Sequence, residues 1–170
     1  MPAATDLAML VLAKSQKANP MPMPYTYRHA SAEYRLYLDT ARDAMNLTSD
    51  NATYTATEAV LLCFRRRLTL PQALAFADIL PCVLRAIFIA HWHPTDPAPW
   101  GGRADQIAEC RALRPHHNLT PETCIDAVAE ALTTQILPTD LAPVLAAIGP
   151  EAQAFWFVPP ARRHAVSFPG

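Results

Sequence analysis

This chain is expected to be all-α: a compact helical bundle of two diverged helical repeats, with an extended N-terminal arm and an irregular C-terminal tail. Three observations lead there. Apolar residues recur at spacings of three and four, the period of a buried helix face. Prolines, 17 against 4 glycines, repeatedly stand where such a stretch begins. Proline is tolerated at the first helical position because its missing N–H would have no helical partner there. No alternating run bounded by turn residues occurs, so strands are not expected.

Residues 1–29 read as an arm. Thr5 is placed to cap a short helix over Asp6–Gln16, apolar at Leu7, Leu10 and Val11. Pro20, Pro22 and Pro24 then alternate with Met21 and Met23 in an extended, polyproline-like strip. The helical domain is read over residues 30–157. Tyr34, Tyr37, Leu38, Ala41 and Met45 mark its first helix, from Ser31. Ser49 or Asp50 starts the second, with Ala52, Ala56, Val60, Cys63 and Phe64 on one face. Two short helices follow, Pro71–Ile79 and Pro81–Ala90, and then a loop over His91–Gly102. Arg103–Arg114 is helical until Pro115 stops it. Thr120-Pro121-Glu122 combines a capping hydroxyl, a proline and an early carboxylate, so a helix is expected over Pro121–Gln135. Helices near Asp140–Ala147 and Pro150–Phe157 complete the domain, and residues 158–170 form the tail.

The halves resemble one another. Glu58-Ala59-Val60 lies over Asp126-Ala127-Val128, and Leu68 over Ile136, at a spacing of 68 residues. Ile79-Leu80-Pro81 lies over Ile148-Gly149-Pro150 at 69. The first repeat then spans about 50–93 and the second about 118–157. A unit this small cannot bury its own apolar stripe, so the two should pack around one core.

Composition narrows the function classes. The hydrophobic fraction is 51% and the charged fraction 17%, against about 25% usually. That excludes global disorder and suggests apolar surface that meets a partner or ligand. Net charge is −1, from 14 basic and 15 acidic residues, so the basic excess expected of a nucleic-acid binder is missing. Arg65-Arg66-Arg67 is the densest basic run and reads as cations in the last turn of a helix; Arg162-Arg163 is the next. The apolar run Leu7–Ala13 is far short of the ~20 residues a bilayer span needs. No basic stretch precedes it, so a secretory signal is not expected. Cys63, Cys82, Cys110 and Cys124 form no C-x-x-C pair and fall in expected helices beside apolar neighbours. They read as small buried hydrophobes in a reducing, cytoplasmic compartment.

Ala56-Thr57-Glu58-Ala59-Val60-Leu61, Arg66-Arg67-Leu68-Thr69, Ile79-Leu80-Pro81, Leu84-Arg85 and Trp92 together resemble a bacterial group, domain-of-unknown-function family 2267. The second half keeps the pattern more loosely, through Ala127-Val128, Ile148, Pro150 and Phe155-Trp156, so the resemblance runs from about Ser31 to Trp156. It departs from the family at His93, where an acidic residue is usual, and in the turn before Gln72, which lacks an acidic run. The resemblance implies a helical-repeat fold and no established reaction.

The sharpest polar constellation is His91-Trp92-His93 with Asp96. Two imidazoles and a carboxylate could ligate zinc, with His116 or His117 as a fourth ligand. The competing reading is histidines satisfying the last carbonyls of a helix. No G-x-S-x-G elbow marks a nucleophile, and no cofactor is expected. Gly101-Gly102 before a helix could cradle an anion, though such a pair is more often a turn. Phe88, Trp92, Trp100, Phe155, Trp156 and Phe157 are expected where the two units meet, or around a pocket for an apolar ligand such as a tetrapyrrole or lipid. The sequence favours a non-catalytic interaction module: an accessory or regulatory subunit docking on a larger bacterial protein assembly. Leu7, Leu10, Val11, Met21, Met23 and Phe168 are its candidate partner contacts. The alternatives are a metal-binding enzyme or sensor using His91–Asp96, and a binder of an apolar ligand.

Overall fold

The computed structural model describes residues 23–113 and 120–159. Within them the chain is all-α, with nine helices and no strand: α1 (Tyr25–Arg28), α2 (Ala30–Ala44), α3 (Asp50–Arg65), α4 (Leu70–Ile79), α5 (Cys82–Ile89), α6 (Arg103–Ala112), α7 (Cys124–Leu132), α8 (Pro138–Ile148) and α9 (Pro150–Phe155). Leu7, Leu10, Val11, Met21, Phe168, His116, His117 and Arg162-Arg163 lie outside the described residues. Among those described, no helix is long and apolar enough to cross a membrane.

Helix α3 is the axis of the domain, packed against α2, α5, α6 and α7. The Ser49 hydroxyl caps it by accepting from the Ala52 N–H at 3.4 Å. Its buried residues run nearly all round, from Thr53 to Arg65, as expected of a helix surrounded by others. Three buried threonines are compatible with that position because each hydroxyl finds a partner. Thr53 and Thr55 donate to the carbonyls of Ser49 and Asn51 one turn back, at 3.0 and 2.9 Å. Thr57 shares a 3.0 Å hydrogen bond with the Tyr37 hydroxyl of α2.

The other starts are equally local. Gln72 reaches back to accept from the Thr69 N–H at 2.9 Å, fixing the first turn of α4. Gly149 joins α8 to α9 at φ 143°, a conformation side chains with a Cβ rarely adopt. The start of α7 departs from expectation. Thr120 is buried and the helix begins at Cys124, after a turn in which the Cys124 N–H donates to Pro121 at 3.1 Å. A proline's fixed φ suits such a turn as well as a first helical position, which is why the sequence does not separate them. Beyond Leu132 the chain tightens to i→i−3 bonds at Thr133, Thr134 and Gln135.

The core centres on Phe64. Its ring lies 4.7 Å from Phe76, 5.1 Å from Phe155, 5.2 Å from Trp156 and 5.8 Å from Trp100. Phe88 joins through Phe76 at 5.3 Å. Of the aromatics expected to cluster, Trp92 and Phe157 stand apart; Trp92 packs on Arg65, and Phe157 is 57% exposed. Phe64 and Phe76 are the hub itself, and helical spacing does not mark them as its centre.

Candidate functional site

Three places hold polar or apolar chemistry beyond what the fold needs at its surface. The first is a buried network at the end of α3. Arg67, 6% exposed, donates through Nε to the Trp100 carbonyl at 2.9 Å and through Nη2 to Glu109 of α6 at 2.8 Å. Its Nη1 reaches the Cys63 carbonyl and, at 3.2 Å, the Cys63 Sγ. Burial works against its charge, but the bond to Glu109 together with the charges of Glu109 and the neighbouring thiols outweighs that, holding the guanidinium above its ordinary pKa. Cys63, Cys110 and Cys124, from α3, α6 and α7, meet beside it as free buried thiols. Cys110, hydrogen-bonded to Cys124 and Cys63 and buried, is held well above the usual thiol range. Hydrogen bonds from Cys110 pull the Cys63 and Cys124 thiols down in turn, but all three are buried from solvent, so the trio reads as packing.

The second place is a polar cavity of about 200 Å³ between the end of α3 and the loop after α5. It is lined by Arg65, Arg66, His91, Trp92, His93 and Thr95, together with Leu68. The structure thus brings His91 and His93 to one cavity and leaves Asp96 off its lining. No group of three His, Cys, Asp or Glu side chains suited to a metal ion occurs among the described residues. His91 sits at φ 50°, a left-handed conformation uncommon for histidine. Arg65 stands 5.4 Å over the Trp92 ring and donates to the Phe88 and Ala90 carbonyls, the latter at 3.2 Å.

The third is an apolar groove of about 250 Å³ between α7, α8 and α9. Leu132 and Ile136 form one wall, Leu141 and Leu145 the other, with Trp156 and Phe157 at the end. Thr133 and Gln153 supply side-chain polar groups. The Trp156 Nε1–H is buried without a partner. Met23, among the expected partner contacts, is exposed and does not line this groove.

Gly101-Gly102 already has an anion. The Asp105 carboxylate of α6 accepts from the Gly102 N–H at 3.0 Å, so the chain's own side chain fills that turn.

The family model described as "Uncharacterized conserved protein (DUF2267)" matches residues 34–155. The chain belongs to this family. The matched stretch takes in α3 through α9, with the first two places and the groove as far as Gln153; Trp156 and Phe157 lie just beyond it. No curated protein matches the chain. Membership of DUF2267 therefore accounts for the helical frame and leaves the chemistry to be read from the side chains.

Two features escaped sequence reasoning. Arg65 and Arg67 read as equivalent members of one basic run, yet they have different partners. The groove is formed by three consecutive helices whose wall residues Leu132, Ile136 and Leu145 are themselves buried, so no local pattern marks the furrow between them.

Proposed function

We propose that this DUF2267 chain is a non-catalytic interaction module, a cytoplasmic accessory or regulatory subunit that docks on a larger bacterial assembly. The groove between α7, α8 and α9 carries the reading. Its walls are two rows of aliphatic side chains four residues apart, Leu132 with Ile136 and Leu141 with Leu145. Such a furrow suits the apolar edge of a partner helix, which inserts side chains at three- and four-residue intervals. Its ~250 Å³ falls below the roughly 300–1,000 Å³ of pockets that enclose small ligands. Phe157, more than half exposed at its end, is the kind of aromatic that anchors an interface.

The reading also takes α3–α5 and α7–α9 as diverged copies of one unit. Ala59-Val60 and Ala127-Val128 are both buried at matching places, as are Leu68 and Ile136 just beyond their helices. The arm residues Leu7, Leu10, Val11, Met21 and Met23, with Phe168 of the tail, are offered as further partner contacts.

The test is native mass spectrometry of untagged protein purified gently from its own organism, beside the Phe157→Asp variant. A polypeptide held in fixed ratio by the natural chain and lost from the variant is the expected result. A bare chain, or a partner that the variant holds equally well, would sink the groove as the docking surface. A bound apolar small molecule would do the same and favour the ligand reading.

A further inference from the structure

We propose that the cavity between the end of α3 and the loop after α5 binds a small phosphate-type oxyanion, with Arg65 as its buried anchor. Arg65 is a buried charge with no ion-pairing contact: it is 8% exposed, yet no carboxylate lies within ion-pairing distance of it among the described residues. Its Nη1 serves the two carbonyls at the end of α5, and its Nε–H is buried with no partner at all. A guanidinium kept only to cap those carbonyls would leave that donor unsatisfied at a real cost. Burial accordingly pulls its pKa down, with Glu58 further back on α3 opposing.

The rest of the cavity matches an anion. Arg66, His91, His93 and Thr95 all present donors, and neither Asp nor Glu lines it. Arg66 shares Glu109 with Arg67, and its side chain is 63% exposed, so it can turn toward a ligand. The charges of Arg65 and Arg66 oppose a metal cation here, which leaves the histidine pair to serve as hydrogen-bond donors. The planar guanidinium fork suits phosphate. The ~200 Å³ available fits a compact ion better than a larger ligand. Helices α3 and α5 both end here, and their C-terminal dipoles, about half a negative charge each, work against the anion. Binding is therefore expected to be weak.

The experiment uses the full chain labelled with ¹⁵N. Inorganic phosphate is titrated while the Arg65 Nε–H and the His91 and His93 ring signals are followed, with chloride at matched ionic strength as the control. Expected are saturable shifts of all three with phosphate and none with chloride. Arg65 substitutions also uncap the Phe88 and Ala90 carbonyls, so the companion variant is His91→Gly/His93→Ala; glycine fits the left-handed backbone at residue 91. It should weaken phosphate binding roughly tenfold or more, while the melting temperature in phosphate-free buffer does not fall. Methyl phosphate distinguishes the sources: equal binding indicates a phosphate monoester, and much weaker binding the free ion. Equal responses to chloride and phosphate, an unmoved Arg65 Nε–H, or undiminished binding by the double variant would each overturn the proposal.

Discussion

Arg65 and Arg67 leave the same end of α3 two residues apart, and both are buried, but their surroundings differ in kind. Arg67 meets a carboxylate, two carbonyls and a thiol sulfur, so its charge and its Nε–H are matched. Arg65 meets two carbonyls and an indole face, and its charge and Nε–H are left over. A buried ion whose partners are complete belongs to the fold. One whose partners are incomplete points to something from outside. That contrast separates the structural end of the network from its candidate binding end.

The largest effect that would sharpen the contrast is at Arg67. Arg67→Ala leaves Glu109 with only its exposed partner Arg66 and strips donors from Trp100 and Cys63, and should cost roughly 2–4 kcal/mol. Urea unfolding measures it; a loss below about 1 kcal/mol would mean the network is not structural. Arg65→Met should cost only about 1 kcal/mol in phosphate-free buffer, because it orphans two carbonyls and no charge. If it proves as damaging as Arg67→Ala, the distinction between the two arginines fails.

The Tyr37–Thr57 pair provides a neutral reference. Tyr37→Phe removes one buried hydrogen bond and should cost about 0.5–1.5 kcal/mol near neutral pH. Burial raises the Tyr37 pKa above its ordinary value of about 10. The folded state therefore holds that proton more tightly than the unfolded chain. This contribution is present in full below pH ~10 and is lost as the pH rises beyond it. Unfolding midpoints taken above that pH should fall less steeply for Tyr37→Phe than for the natural chain.

The sequence by itself determined the elements and most of their beginnings. Period, cap and proline act within a few residues, so Ser49 before α3, Gln72 behind Thr69 and Gly149 between α8 and α9 are legible one turn at a time. Pro121 is the exception, because its φ serves a turn and a helix start equally. The family frame was legible for the same reason, being written in short local runs.

Tertiary structure alone decided the sites. Glu109 reaches Arg67 across 42 residues, and the carbonyl of Phe88 reaches Arg65 across 23. Nothing near Arg65-Arg66-Arg67 in the chain says which member gains a carboxylate. His91, His93 and Asp96 stand together in sequence, yet the fold turns the two histidines toward arginines and leaves the aspartate aside. The groove depends likewise on how α7, α8 and α9 come together. Local propensity reports the conformation of a segment; charge pairing and burial are properties of what packs against it, and that partner is set by the whole fold.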